Sequence, residues 1–368
     1  MYELAISAVD IMRILVINTE KTWRGGERQT LYNIQGYLEQ GLAVELLCLN
    51  NYPLAHKARA LRVPIHTVAG NLSAIGWLAT KASQYDILHA QTAKAQSIAV
   101  ITKLLHRKPI VYTRRVDFVP RGQLTRLKCR HTDRVVAISN PVRKTLENFG
   151  VPDVTTIYDV VVPRALDGKR ADELVAQVAG NGQFIIATIA ALGRDKDPLT
   201  MVEAIHQLAA VRQDFVFLHF GEGPLMAEVR HKICEYQLED VYHLMGFVPD
   251  IEDIFARMDV FCMSSQEEGL GSSVLDAFVY RVPVVTTDAG GLAEIVANHG
   301  TLCPRHNGPA LASGLDNVLR NPDQARALAD AAYHYAMAVC SLDRTSKQYL
   351  SLFKELLAMC ECSPKHPA

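Results

Sequence analysis

Two carboxylates, Glu268 and Asp276, stand eight positions apart around the loop Gly269-Leu-Gly-Ser272, within the stretch Ser264 to Val296. Gly269 and Gly271 let the backbone come close to a ligand, and a helix starting near Ser272 would offer free N–H groups to a diphosphate. One acid then reaches a sugar beyond the phosphates and the other, about a turn into the helix, reaches a ribose. Lys196, in Ala190-Ala-Leu-Gly-Arg-Asp-Lys-Asp-Pro198, follows a predicted strand and is placed to neutralise charge growing on a leaving diphosphate. Gly25 and Gly26 precede a helix expected to start near Glu27, so their N–H groups can also approach an anion; a plain turn closing a βα unit is the alternative.

Other residues offer weaker chemistry. Arg114-Arg-Val-Asp117 follows the predicted strand Ile110–Thr113, where Arg115 suits a phosphate or carboxylate unless it is only a solvated charge. His89 ends an apolar strand and is expected to point at the same cleft, although a lone His there is as readily structural. Asp195-Lys-Asp197 imitates a D-x-D metal motif. Lysine between the carboxylates and Pro198 after them suit a helix start better than a cation cage, so no metal site is assigned. Gly221-Glu-Gly-Pro224 is half a dinucleotide fingerprint without its third glycine, so NAD is not inferred.

The elements that must position these groups alternate throughout. Short apolar runs are separated by amphipathic stretches of helical length, the pattern of an α/β protein with helices on both faces of parallel sheets. Seven candidate strands lie between Ile14 and Tyr158 and six between Phe184 and Cys303, joined by a charged linker across 160–182. A chain of 368 residues exceeds what one core usually holds, and 49% apolar residues suffice to fill two. The expected division is an extension at 1–11 ahead of Met12, a first domain at 12–165, a second at 166–340, and a last helix with a polar tail at 341–368. Ligands in such sheets bind at the carboxyl ends of strands, and every loop named above follows a predicted strand.

A net charge of −1 argues against a dedicated nucleic-acid binder. The charge is uneven. Between Lys103 and Arg134 ten Lys or Arg face only Asp117 and Asp133, which leaves about −9 on the rest of the chain. Eight scattered cysteines without a C-x-x-C pair suggest free thiols in a reducing cytoplasm, and no apolar run approaches the ~20 residues of a spanning helix.

The segment 264–296 resembles the signature of the retaining, GT-B-fold glycosyltransferases of family 4: an acid, seven residues, a second acid, then a PVV strand (Pro283-Val-Val285) and a GG-x-x-E turn (Gly290 to Glu294). The resemblance runs along roughly residues 12–357, with Gly25-Gly-Glu-Arg28, Gly221-Glu-Gly-Pro224 and Gly246-Phe-Val-Pro-Asp250 in family order. It implies two Rossmann-like domains facing a cleft, the first for acceptor and the second for a nucleotide sugar, with the final helix crossing back to the first. The implied activity is transfer of a sugar, with retention and without a metal or cofactor, from a nucleotide diphosphate sugar. A UDP-sugar is the first expectation, with GDP- and ADP-sugars as alternatives.

In the catalytic group the resemblance implies Glu268 on the transferred sugar and Lys196 on the diphosphate. Arg115 stands where many members carry a histidine that contacts the donor sugar. In the donor group it implies Asp276 on the ribose, the backbone of Gly269, Leu270, Gly271 and Ser272 over the diphosphate, and Gly25 and Gly26 facing it. Gly223 would lie near the nucleotide, and the backbone of Phe247 and Val248 would read the base. Ala191 replaces a family arginine, and Arg194 is the nearest cation able to compensate. Arg114, Arg121 and His89 are assigned to the acceptor. With the basic segment they suggest an anionic saccharide or lipid-linked acceptor of lipopolysaccharide or polysaccharide synthesis, met by a cytoplasmic protein touching the membrane peripherally. The rivals are a sugar-nucleotide epimerase of the same architecture and a non-catalytic sugar-nucleotide binder.

Overall fold

The computed structural model describes residues 11–176, 178–180 and 182–362. Residues 1–10 of the expected extension and the polar tail from Ser363 lie outside the described residues.

The first half forms a sheet of seven parallel strands: β1 (Arg13–Asn18), β2 (Ala43–Leu49), β3 (Ile65–Val68), β4 (Ile87–Ala90), β5 (Ile110–Arg114), β6 (Arg134–Ala137) and β7 (Val154–Thr156), in the order β3-β2-β1-β4-β5-β6-β7. The second half forms six: β8 (Phe184–Ile189), β9 (Phe215–Phe220), β10 (Tyr242–Gly246), β11 (Val260–Met263), β12 (Val284–Thr287) and β13 (Thr301–Cys303), in the order β10-β9-β8-β11-β12-β13. Central strands such as Ile14 to Ile17 are apolar without alternation because helices cover both faces, and all four of these side chains are fully buried. Each sheet reverses its strand order once, between β1 and β4 and between β8 and β11. Those switch points open the crevice in which such sheets bind ligands.

The two halves are tied together at several places. The linker is pinned where it leaves the first sheet, since Val160 N–H donates to Gln29 Oε1 (2.8 Å) and Gln29 Nε2 donates to Val160 O (2.6 Å). Within the linker 160–182, Gly168–Val175 is a helix capped by Asp167, whose side chain accepts from the N–H groups of Lys169 and Arg170. Its Ala171 and Val175 are buried, and Arg170 pairs with Asp253 of the second half at 3.0 Å. The last helix, Leu342–Cys362, returns to lie on the helix Gly25–Glu39. There Gly36 leaves the room that Ser346 occupies, and Tyr37 meets Tyr349 and Phe353 edge-on with ring centroids 5.7 and 5.4 Å away. Burying each such ring contributes roughly 1.5–3 kcal/mol.

Candidate active site

The loops at the carboxyl ends of β1 and β11 meet. The first helix begins at Gly25, two residues before the expected Glu27, because Arg24 is extended and its N–H is taken by the Glu27 carboxylate at 2.8 Å. A Cβ on Gly25 would stand 2.8 Å from Ser272 Oγ, so the N-terminus of this helix faces that of the helix Ser272–Val279 directly. Two positive helix ends in apposition form a place for an anion.

Glycines shape the second domain's side. Gly271 has φ +96 and supplies the turn into the helix. A Cβ on Gly269 would lie 2.3 Å from Arg115 O, and one on Gly290, at φ +44, would lie 2.3 Å from Glu268 O and 2.4 Å from Asp117 Oδ2. Gly291 N–H donates to Glu268 O at 2.9 Å. The two glycine turns therefore lock together and hold Glu268 at the domain junction. Ser139 of the first domain donates to Gly269 O at 2.6 Å.

Glu268 and Lys196 are paired directly through Oε2 and Nζ. Lys196 belongs to the turn Arg194–Lys196, fixed by the Lys196 N–H to Gly193 O bond and by Ser264 Oγ donating to Lys196 O. Asp197 is spent on structure: it caps the helix Pro198–Ala209, accepts from Thr200 Oγ1 at 2.7 Å and contacts His306 Nδ1 at 2.9 Å. Among the described residues no group of three His, Cys, Asp or Glu side chains is placed to hold a metal ion. Arg194 is exposed at the mouth of this turn. Gly221 and Gly223 have a packing role, since Cβ atoms there would strike Ala190 O at 2.0 Å and Leu192 O at 2.4 Å. They zip this loop onto the one carrying Ala191, and Glu222 reaches on to accept from Phe247 N–H at 3.4 Å. Phe247 is exposed beside half-buried Val248, and Leu270 is buried beneath the glycine turn.

Asp276 is engaged across the cleft. Arg28, from the first turn of the opposing helix, donates Nη2 to Asp276 Oδ2 at 2.6 Å and Nη1 to Glu252 Oε1 at 3.2 Å. Burial lifts the Asp276 carboxyl above its ordinary range, with Arg28 pulling the other way. On the arginine burial is outweighed by Asp276, so the guanidinium is held charged. Arg28 stands inside the motif Gly25 to Arg28, yet its role escaped the sequence reading. Its place in the first turn of a helix opening at the cleft was the available signal.

Three expectations about the first domain need correction. His89 does not reach the cleft: it is fully buried, 2.9 Å from Tyr37 Oη and 2.8 Å from Thr113 Oγ1, and burial holds its pKa well below the usual value. β4 continues to Ala90, one residue past His89, and the histidine ring packs against Tyr37 of the helix Gly25–Glu39 and Tyr349 and Phe353 of the last helix. Arg115 is not a solvated charge: it is largely buried beside Gly26, and its Nη2 has no hydrogen-bond partner among the described residues. Its Nε pairs with buried Asp159 at 2.9 Å and its Nη1 donates to Gln91 O at 3.2 Å, so the guanidinium anchors the linker to β4 and β5. Arg114 is buried as well, folded back to donate to Phe118 O beneath the Phe118 ring. Arg121 alone of the acceptor group is exposed. Asp117, which carried no role in the sequence, lies against the Gly290 turn, accepts from Thr145 at 3.4 Å, and is raised in pKa by burial.

A model of glycosyltransferase family 4 matches residues 23–163, and one of glycosyl transferases group 1 matches residues 170–335, one on each side of the cleft. Both matches are to sugar-transferase models, and together they span most of the chain. A lipopolysaccharide core biosynthesis mannosyltransferase, LpcC of Rhizobium leguminosarum bv. viciae, is 22% identical over 74% of this chain and 78% of its own length. A 2-deoxystreptamine glucosyltransferase of Streptomyces kanamyceticus is 31% identical over 37% of this chain. The match spans only 38% of that relative's own length and 47% of a phosphatidylinositol N-acetylglucosaminyltransferase subunit from Saccharomyces cerevisiae. In fold the chain is similar to Anabaena HepE, solved with UDP and glucose, at a TM-score of 0.81 and 18% identity, covering 94% of this chain and 100% of that one. The architecture is GT-B: two Rossmann-like domains around one cleft.

Proposed function

We propose that the protein transfers a sugar from a nucleotide diphosphate sugar, UDP-linked in the first instance, to a saccharide or lipid-linked acceptor in envelope polysaccharide or lipopolysaccharide synthesis. The observation that carries this reading is the Lys196–Glu268 pair set beside two facing helix N-termini. A diphosphate bound there meets backbone N–H groups from Gly271 and Ser272 and the Lys196 ammonium, which becomes free to follow the leaving group. Glu268, released from the lysine, accepts hydrogen bonds from hydroxyls of the sugar and fixes its orientation. Asp276 takes the ribose hydroxyls once Arg28 yields part of its hold. The attacking hydroxyl arrives from the first domain on the face of the leaving group, its proton passing to the departing phosphate oxygen, so the anomeric configuration is retained. The UDP in the HepE structure and the lipopolysaccharide relative support the donor and the pathway class.

Calorimetric binding of UDP, GDP and ADP to wild type and Asp276→Ala tests the donor. One nucleotide should bind, and Asp276→Ala should weaken it about tenfold or more, as expected for a lost charged hydrogen-bond acceptor. Binding of none, or equal binding by both proteins, refutes the site. Proton NMR of the product's anomeric coupling tests retention.

A further inference from the structure

Most of the exposed large apolar side chains of the first domain are gathered on one layer. From β3 through β7 every connection moves in the same direction across the sheet, so right-handed crossovers put all of their helices on one face. The helices Asn71–Lys81, Ala93–Ile101 with Lys103–His106, and Gln123–Arg130 pack side by side there, opposite the face covered by Gly25–Glu39 and the last helix. Ile101, Leu104, Leu105, Leu124 and Leu127 point outward from this layer, Leu104 with 87% and Leu124 with 82% of its surface exposed. At the cleft rim the same layer ends in exposed Phe118 and Val119.

Basic residues are interleaved with them. At the pole away from the cleft, where β5 and β6 begin, a cavity of about 480 Å³ is lined by Lys103, Leu104, Arg107, Lys108 and His131, with Asp133 and Cys360. Lys103 is neutralised by Asp133 at 2.7 Å, whereas Arg107, Lys108, Arg121 and Arg130 make no ion pair among the described residues. A solvated helix face accounts for the charges but not for five outward aliphatic side chains on neighbouring helices among them, and exposed apolar surface on this scale marks a contact. Apolar side chains ringed by Lys and Arg on surface helices match the interface of an anionic bilayer, where the aliphatics enter the headgroup boundary and the cations meet phosphates. The remainder of the chain carries about −9, so an anionic surface also orients the molecule with this face inward.

We propose that this helical layer docks on a bilayer containing anionic phospholipid, with the cavity between Arg107 and Lys108 taking a lipid phosphate. Phe118 and Val119 then hold the cleft rim at the membrane. Given the transfer reaction proposed above, a lipid-linked acceptor enters the cleft without its chain leaving the bilayer.

The test is flotation of the full chain with phosphatidylcholine vesicles, with and without phosphatidylglycerol, for wild type, Arg107→Glu/Lys108→Glu and Leu104→Ser/Leu124→Ser. The UDP thermal shift of each protein is read separately. Wild type should float only with phosphatidylglycerol, each double variant should lose about tenfold or more in vesicle affinity, and the UDP shift should be the same in all three. No flotation of wild type, equal flotation on pure phosphatidylcholine, or insensitivity to both double variants would overturn the proposal. So would a dimer by analytical ultracentrifugation that Leu104→Ser/Leu124→Ser disperses, which would assign the face to a second copy of the chain. An absent UDP shift in wild type that still floats would instead count against the donor site alone.

Discussion

The two walls of the cleft are built by different means. The second domain's wall is backbone: Gly269, Gly271 and Gly290 occupy positions where a Cβ meets neighbouring atoms at 2.3 to 2.5 Å, and all lie within one short stretch of sequence. The first domain's wall is side chain: Arg28 comes from the first helix and Arg115 and Asp117 from the loop after β5, and each is defined by a distant partner, Asp276, Asp159 and Gly290 respectively. Backbone shape is dictated locally, whereas a long charged side chain takes its direction from whichever opposite charge the fold delivers.

The largest break in this contrast should come from Arg28→Ala. It leaves Asp276 without a cationic partner in a buried junction, while Glu252 keeps Arg164 at 3.6 Å, and an uncompensated buried charge costs about 3–5 kcal/mol. Urea unfolding should show a midpoint far below wild type. Arg28→Ala/Asp276→Asn should recover a large part of that loss, and failure to recover any would mean that the two residues act independently. On the opposite wall Lys196→Ala should cost less stability than Arg28→Ala, because Glu268 keeps Ser265 Oγ as a donor at 3.5 Å. Its turnover, read as release of nucleoside diphosphate, should fall about 10²- to 10³-fold, equivalent to about 2.7–4 kcal/mol of lost transition-state stabilisation. A fall in stability comparable to that of Arg28→Ala would show that the Lys196–Glu268 pair is a structural tie.

The same contrast explains what the sequence could disclose. Runs such as Ile14 to Ile17 and Val260 to Met263 became central strands because four consecutive apolar residues between turn signals admit little else. The loop from Glu268 to Asp276 could be placed from the sequence because its glycines, strand and helix are contiguous. His89 and Arg115 could not be oriented in that way. Whether His89 faces a cleft or a core depends on Tyr37, Tyr349 and Phe353, the latter two more than 250 residues away in sequence. Arg115 turns inward because Asp159, on the far side of β6 and β7, offers a buried carboxylate. Neither partner belongs to a motif, so no local pattern announced it.

Buried histidines extend the comparison to pH. In the second domain His219 is held between Tyr242 Oη at 2.8 Å and Ala190 O at 3.2 Å, and burial pushes its pKa down to about 4. The unfolded chain takes up a proton near pH 6.5 that the folded one refuses, so stability is fully present above that value and is lost as pH falls towards 4. The loss is of order 3 kcal/mol. His89 behaves in the same direction in the first domain. Unfolding of wild type and His219→Gln measured from pH 7 to pH 4 should differ in slope, with the variant the flatter. Parallel curves would mean that carboxylates alone carry the acid sensitivity.

Gly26 gives the smallest effect and the sharpest test of the difference between the walls. It resembles Gly269 and Gly290 in sequence, a glycine at the mouth of a βα loop facing the cleft. Outside its own helix, the nearest atom among the described residues to a Cβ built on it is Arg115 Cδ, at 4.0 Å, an ordinary contact. Inside the first turn of a helix, alanine is also preferred over glycine. Gly26→Ala should therefore leave stability unchanged or raise it by up to about 1 kcal/mol. Gly290→Ala should lower it, because φ +44 and two oxygens within 2.4 Å leave no room for the methyl. Parallel thermal melts of the two variants decide the matter. If Gly26→Ala proved as damaging as Gly290→Ala, the first domain's wall would also depend on a close backbone approach. If Gly26→Ala keeps its stability yet loses nucleotide affinity, the space at this position belongs to the ligand rather than to the fold.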